Sequence, residues 1–145
     1  MTTTSTVAVD SADLLEAFPV VDPGAVPLGA RVLVQLRRAK KKITSSGIIL
    51  PQETRDTERA QNPVGKVVGI GPLAFKKRDT MEPWPEGSWC DVGDFLRVPK
   101  WTGDRWQVAV PGETADEDAV EFIILNDHEV IAKVTGNPLE VKAFV

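Results

Sequence analysis

Polar and apolar residues alternate over short stretches from Arg31 onwards, and a period of two is typical of half-buried β-strands. The first stretch is Arg31–Leu36, in which polar and apolar positions surround β-branched valines. Similar stretches follow, separated nearly everywhere by turn residues: 65–70, 94–99, 105–110, 121–125 and 129–134. Since no long amphipathic helix accompanies them, the pattern predicts an all-β fold. It would be an antiparallel sandwich or a small barrel whose closure hides the strand edges.

The segment before residue 25 has a different character, because it holds four carboxylates and no lysine or arginine. Residues 11–18 predict a helix of about two turns that starts at a Ser cap and is limited by the prolines that follow. The rest of the chain contains as many basic as acidic residues, so this segment carries the whole net charge of −4. We therefore expect residues 1–24 to form an acidic N-terminal arm.

The connection from 37 to 63 is far longer than a hairpin turn, and loops of this length usually carry function or are disordered. It opens with a basic run, 37–42, which we interpret as solvated residues at the base of a loop rather than as a phosphate-binding patch. It also contains three consecutive large apolar residues, Ile48, Ile49 and Leu50. One interpretation of these is a short core strand. The other is an adhesive segment on a flexible loop that folds when it binds another protein.

The composition is that of one ordinary domain, with 42% hydrophobic and 26% charged residues in a chain of 145. The single cysteine, Cys90, and the single histidine, His128, cannot complete a four-ligand zinc site. No apolar run approaches the roughly 20 residues of a membrane span, and the N-terminus lacks the features of a signal peptide. We expect a cytoplasmic protein without a membrane partner, and the acidic balance argues against a nucleic-acid partner.

The motifs that would support catalysis or ligand binding are incomplete. Any Ser/His/Asp or Cys/His set would need His128, which follows Asn126 and Asp127 in an apparent turn, where histidines are usually solvated. The acidic residues of 113–118 lack the spacing of an EF-hand. Residues 69–72 lack the third glycine and the helix of a dinucleotide fingerprint. We therefore predict that the protein is not an enzyme and has no cofactor or metal.

Several segments match one family pattern when they are taken in chain order. They are the opening strand at 26–34, Ser-Gly-Ile-Ile-Leu-Pro at 46–51, the strand at 64–71, the Val-Gly-Asp turn and strand at 91–96, Lys-Trp-Thr-Gly at 100–103 and the closing strands at 122–132. In this order they resemble the GroES-type co-chaperonins of the chaperonin-10 family. The resemblance covers roughly residues 27–134. We place the domain at 25–134, with a C-terminal tail at 135–145.

The resemblance implies a small GroES-like antiparallel β-barrel that assembles into a seven-membered ring and caps a GroEL-type chaperonin. The segment at about 39–61 would be the mobile loop, with Ile48, Ile49 and Leu50 as the chaperonin-binding residues and Gly47 as the flexible approach to them. The ring would enclose a client protein for ATP-dependent folding. ATP and magnesium would belong to the chaperonin, and the cap itself would hydrolyse nothing.

Several features depart from ordinary bacterial members, namely the arm, the tail, Ala30 in place of the usual aspartate, and an enlarged segment at about 72–90. In the family this segment forms the roof of the dome. The resemblance therefore implies an enlarged roof whose client-facing residues include Phe75, Trp84 and Trp89. These departures are similar to those of divergent phage-encoded co-chaperonins, which implies a phage origin, a capsid-protein client and a host bacterial cytoplasm.

One alternative of a different class stays open at this point. A virion or regulatory structural protein could reuse the same barrel and dock the apolar loop residues into something other than a chaperonin, because a fold alone does not determine function. Binding to a chaperonin ring in the presence of ATP distinguishes the two hypotheses.

Overall fold

A single antiparallel sheet of six strands forms most of the computed structural model, which describes residues 11–38, 64–99, 103–112 and 119–139. The all-β prediction is confirmed. The strands are β1 (Arg31–Leu36), β2 (Val64–Ile70), β3 (Phe95–Arg97), β4 (Asp104–Val108), β5 (Val120–Asn126) and β6 (Ala132–Lys133). A short helix α1 (Ser11–Ala17) precedes them, and a 3-10 turn (Asp127–Glu129) lies between β5 and β6.

The strand β1 is the centre of the sheet, whose order is β4-β5-β1-β2-β3-β6. Five of its six residues are buried, because both faces of this strand are covered. Val34 pairs with Ile123 of β5 on one side and with Val67 of β2 on the other. A local irregularity in the pairing with β2 falls between Leu33 and Val34. Within the part of the chain that the structure describes, β4 and β6 form the two edges of the sheet.

The hydrophobic residues form three clusters around this sheet. The main core contains the alternate residues of β1 together with side chains from β2, β3 and β5. A smaller cluster around Leu33 and Phe122 covers the opposite face of β1. A third cluster lies where β1 ends and includes residues from outside the strands. None of the helices in the described ranges is long and apolar enough to cross a membrane.

The last predicted strand, 129–134, is shorter in the structure, where only Ala132 and Lys133 pair with β3. Its first residue, Glu129, belongs to the 3-10 turn instead. Two N–H groups at this turn bond locally, because the Asp127 carboxylate accepts the His128 N–H at 2.8 Å and the Glu129 carboxylate accepts the Asn126 N–H at 2.8 Å. These local bonds compete with strand pairing and delay the start of β6.

Candidate functional site

The predicted chaperonin-binding residues Gly47, Ile48, Ile49 and Leu50, like the rest of the loop at 39–61, lie outside the described residues. The structure does describe the residues on either side of the connection between β1 and β2. At its start the Arg37 N–H donates to the Val64 carbonyl at 2.9 Å, and Val64 is the first residue of β2. The two ends of the connection are therefore held together by a backbone hydrogen bond.

A hydrophobic cluster of residues from both ends of the chain packs beside this point. We call it the arm–tail cluster, and it consists of Leu14, Ala17, Phe18, Val64, Phe95, Val134 and Leu139. Its centre is Phe18, which is only 2% exposed and makes an edge-to-face contact with Phe95 at a centroid distance of 5.1 Å. A helix as short as α1 is marginal by itself, so this packing is what stabilises it.

The apolar face of α1 explains why the arm packs in this orientation. Leu14, Ala17 and Phe18 have the i, i+3, i+4 spacing that places side chains on one face of a helix. The Phe18 N–H continues the helical bonding by donating to the Leu14 carbonyl at 2.8 Å. By contrast Leu15, on another face, is 56% exposed. The acidic arm thus has an apolar stripe that packs against the domain.

Hydrogen bonds from the domain to the arm reinforce the hydrophobic contact. The Arg38 N–H donates to the Ala17 carbonyl and the Arg38 Nε donates to the Glu16 carbonyl, both at 2.9 Å. The last carbonyls of a helix lack partners within the helix and favour cations nearby, so an arginine fits this place. The buried Gln35 side chain donates to the Pro19 carbonyl at 2.7 Å, which satisfies an amide that would be costly to bury alone.

The tail contributes to the same place from the other end of the chain. The Arg37 guanidinium donates to the Pro138 carbonyl at 2.7 Å, and Leu139 packs in the arm–tail cluster. The interpretation of the basic run as simply solvated is therefore wrong for its first two residues. Arg37 and Arg38 are half-buried, and each donates to a carbonyl of a chain extension.

The other end of β1 lies beside the enlarged segment at 72–90. Three of its rings form a second cluster, which we call the aromatic cap: Phe75, Trp84 and Trp89. The Phe75 and Trp84 centroids are 5.5 Å apart, and those of Trp84 and Trp89 are 4.9 Å apart. Both contacts are edge-to-face, the geometry that aromatic quadrupoles favour. The cap packs on the main core of the sheet.

This packing corrects the prediction that Phe75 faces a client protein. The Phe75 side chain is 1% exposed, so its ring is part of the main core and presents no surface to another molecule. Trp84 and Trp89 are half-buried, so each residue keeps some accessible surface, while the Trp89 Nε1 atom is buried. The assignment of these two residues to a client-facing surface stays a prediction.

A buried carboxylate fixes the backbone of the segment at Phe75. Asp127, 2% exposed, accepts the Phe75 N–H at 2.9 Å, and the Asp127 N–H donates to the Ala30 carbonyl at 2.9 Å. Phe75 has a φ of 62°, a left-handed conformation that is unfavourable for a bulky residue and needs support from its surroundings. Asp127 thus joins the segment at 72–90 to the start of β1 and the end of β5.

A basic cavity opens next to this junction, with a volume of about 180 Å³. Its cationic lining comes from Arg31 at the start of β1 and from Lys76, Lys77 and Arg78. Lys76, Lys77 and Arg78 are consecutive in the sequence, whereas only the fold brings Arg31 next to them. Four cations around one concavity create a positive potential that attracts carboxylates and other anions.

The two residues considered for catalysis do not form a reactive site. His128 is exposed, as expected for a turn histidine, with its ring 3.5 Å from the Asp127 carboxylate. Burial raises the pKa of the Cys90 thiol to about 11, and the Asp94 and Asp91 carboxylates act in the same direction. A protonated thiol is a poor nucleophile, so this environment disfavours reaction at Cys90.

One edge of the sheet is accompanied by an exposed apolar side chain, because Ile131, directly before β6, is 62% exposed. Val26 and Leu28, which precede the central strand β1, are also exposed. The edge of a sheet with an apolar neighbour is a site at which another chain can add.

Comparison with known proteins assigns the family. The family model described as the chaperonin 10 Kd subunit matches residues 25–134, which is most of the chain. The chain belongs to the chaperonin-10 family. The arm residues and Leu139 of the arm–tail cluster lie outside the matched range, whereas the whole aromatic cap lies inside it.

Curated relatives with the same assignment are distant but cover the domain. The protein is similar to the co-chaperonin GroES of Syntrophomonas wolfei, at 26% identity over 108 residues, or 74% of this chain and 95% of the relative. The co-chaperonin GroES of Aquifex aeolicus is 27% identical, over 74% of this chain and 75% of its own. That of Bacillus cereus is 28% identical, over 74% and 96%. A GroES-type co-chaperonin is therefore the class to which this protein belongs.

Proposed function

We propose that this protein is the subunit of a ring that caps a GroEL-type chaperonin in the cytoplasm of a bacterium and encloses a client protein during ATP-dependent folding. The observation that carries the proposal is the match of residues 25–134 to the chaperonin-10 family. The pairing of Arg37 with Val64 supports it, because a loop that must reach a partner is best held at both of its ends.

The binding element in this proposal is the apolar run Ile48, Ile49 and Leu50, approached through Gly47. Burying each large side chain supplies roughly 1.5–3 kcal/mol, whereas ordering each loop residue costs roughly 1–2 kcal/mol. A single loop from 39–61 should therefore bind weakly. When several loops belong to one ring, the later contacts become intramolecular, and the cap holds while each contact stays easy to release.

The ring in this proposal is a heptamer of identical subunits. Its support in the described structure is the position of β6 at one end of the sheet, with the exposed apolar residue Ile131 beside it. Light scattering should give the mass of a ring, and Ile131→Asp should shift the population towards smaller species. A monomer at every concentration, even with chaperonin and ATP present, would contradict the ring.

The client-facing surface in this proposal is the outer part of the segment at 72–90, and a phage capsid protein is the client that the departures from ordinary members suggest. Phe75 is excluded from this surface, and the accessible chemistry is that of Trp84, Trp89 and the basic cavity. Such a surface suits a client with acidic patches, because four cations attract carboxylates over several ångströms.

The client surface must be tested by point substitutions, since excising the segment would remove Phe75 from the core. Lys77→Gln together with Arg78→Gln removes two exposed cations and leaves the aromatic cap intact. We expect folding of an acidic client to fall more than folding of a basic client, with ring mass and chaperonin binding unchanged. Equal effects on both clients would reduce the segment to a passive addition.

The function as a whole is tested with a purified chaperonin ring. The wild-type protein should bind it in the presence of ATP and increase the yield of a refolding client. Ile49→Ser should abolish both effects, whereas Gln52→Ser, a change from one polar residue to another in the same loop, should not. A wild-type protein that binds no chaperonin under these conditions would favour the structural or regulatory alternative.

A further inference from the structure

The arm and the tail converge on the residues that flank the connection between β1 and β2. The backbone N–H and the Nε of Arg38 both donate to arm carbonyls, those of Ala17 and Glu16. The guanidinium of Arg37 donates to the tail carbonyl of Pro138. On the returning side, Val64 is fully buried beside Phe18. Both sides of the root of this connection are therefore in contact with the chain extensions.

These contacts come from chain that the family match does not include. The match begins at residue 25 and ends at residue 134, whereas Glu16, Ala17, Phe18 and Pro138 lie beyond those limits. The extensions are thus an addition to the shared domain, and one group of their contacts lies at the root of this connection. Gln35 and Trp106 extend the attachment of the arm, because Gln35 donates to the Pro19 carbonyl and the Trp106 indole donates to the Pro23 carbonyl at 2.9 Å.

Such an attachment reduces the number of conformations that the residues at the root of the loop can adopt. A loop that leaves the domain from two fixed residues explores fewer directions than one whose first and last residues also move. Restricting the free state in this way lowers the entropy that is lost on binding. In a ring the effect is multiplied, because each additional loop binds with an effective concentration that depends on how well its root is placed.

We propose that the arm and the tail form a clamp that positions the chaperonin-binding loop, with Phe18, Arg37 and Arg38 as its positioning residues. This inference rests on the proposed function, because it concerns the strength with which that loop engages a chaperonin. The clamp acts through the described residues Arg37, Arg38 and Val64 at the loop's root and needs no contact with the chaperonin.

The test compares Phe18→Ala with Val20→Ala, a matched control on the same arm whose side chain is 87% exposed. Amide hydrogen exchange of the isolated protein measures the clamp directly. In Phe18→Ala the Arg38 amide should exchange about tenfold faster or more, because its acceptor belongs to the released arm, while the amides of Val34 and Leu36 keep their protection. Val20→Ala should resemble the wild type.

The second measurement is the affinity for a chaperonin ring with ATP. Phe18→Ala should bind about tenfold more weakly than the wild type, with ring mass unchanged. A chain truncated after Asn137 loses Pro138 and Leu139 but keeps Phe18, so it weakens the clamp from its other side without opening the centre of the cluster. It should also bind more weakly, and it decides the question if Phe18→Ala fails to fold.

The outcomes separate the clamp from the function on which it rests. If the wild type binds no chaperonin, the proposed function fails. If the Arg38 amide exchanges at the same rate in Phe18→Ala as in the wild type, the arm does not hold Arg38, and the clamp is overturned whatever the binding result. If the wild type binds and both altered chains bind within about twofold of it, the arm and tail do not position the loop and the inference is overturned. Faster exchange at Arg38 combined with weaker binding supports it.

Discussion

The two ends of β1 are held by different kinds of contact. At the Leu36 end there are two kinds of contact. One deeply buried ring, Phe18, packs in the arm–tail cluster, and Arg37 and Arg38 donate hydrogen bonds to backbone carbonyls. At the Arg31 end, the aromatic cap and the buried Asp127 carboxylate fix the segment at 72–90. The contacts at the Leu36 end need residues of the arm and the tail, which lie outside the family match. The contacts at the Arg31 end are made entirely by residues inside it.

The segment at 72–90 is therefore part of the domain's core, whereas the arm and the tail pack on the domain in a separate cluster. Phe75 fills the main core, so loss of the aromatic cap should destabilise the whole sheet. Phe18 belongs to a separate cluster at one end. Loss of the arm contact should therefore act mainly on the root of the loop.

Phe75→Ala should have the largest effect on stability. Removing a buried phenylalanine costs about 3–5 kcal/mol of unfolding free energy, because it leaves a cavity as well as losing apolar burial. Urea unfolding at one fixed protein concentration measures the loss. Leu73→Ala, at a partly exposed neighbour, is the control and should cost less than about 1 kcal/mol. A Phe75→Ala loss as small as that of the control would mean that the aromatic cap is peripheral.

Asp127→Ala should have the next largest effect. It leaves the buried Phe75 N–H without its acceptor, and an unsatisfied buried donor costs about 1–3 kcal/mol. Asp127→Asn retains an acceptor oxygen and should lose less. The same urea experiment measures both, and His128→Ala, at an exposed neighbour, serves as the control. Equal stability of the Ala and Asn variants would show that the bond to Phe75 contributes little.

The smallest effect is the pH dependence that arises from Cys90. Below pH 9 the thiol is protonated in both the folded and the unfolded state and does not alter their balance. Its pKa is raised from 9.0 to about 11 in the folded state, so between these values the unfolded state alone releases the proton. The unfolding free energy should therefore fall as pH rises through this window.

Comparing the wild type with Cys90→Ala isolates this contribution, since all other groups titrate in both. The difference between their unfolding free energies should be constant up to about pH 9 and should then change in favour of the variant. At pH 8 the native thiol should also resist alkylation, whereas the chain unfolded in guanidinium should react. Rapid alkylation of the folded protein would contradict the buried, protonated thiol.

The sequence predicts the strands well because their information is local. The alternation in Arg31–Leu36 predicts β1 with its observed bounds, and the helix expected at 11–18 differs from α1 by one residue. The family follows from short segments in a fixed order. The strands expected at 94–99 and 129–134 are predicted too long, and in the second the pattern does not reveal the local hydrogen bonds of Asp127.

The errors at the two ends concern contacts between distant parts of the chain. Phe75 lies among lysines, prolines and glycines, and its burial depends on a carboxylate far along the sequence. The arm is acidic on average, and its contact with Phe95 gives no local signal except the spacing of Leu14, Ala17 and Phe18. That spacing is typical of an apolar helix face, but it does not identify Phe95 as the residue against which the face packs. The sequence itself offers a binding segment at Ile48, Ile49 and Leu50 as one of two interpretations, whereas the chaperonin as its partner follows only from the resemblance.

Electron cryo-microscopy of the wild-type protein with a GroEL-type chaperonin and ATP shows whether this protein caps a chaperonin. We expect a ring of this protein on one end of the chaperonin, with density from the segment at 39–61 reaching the chaperonin and with α1 packed beside Phe95 in each subunit. Chaperonin particles that remain uncapped at saturating concentrations of this protein would contradict it.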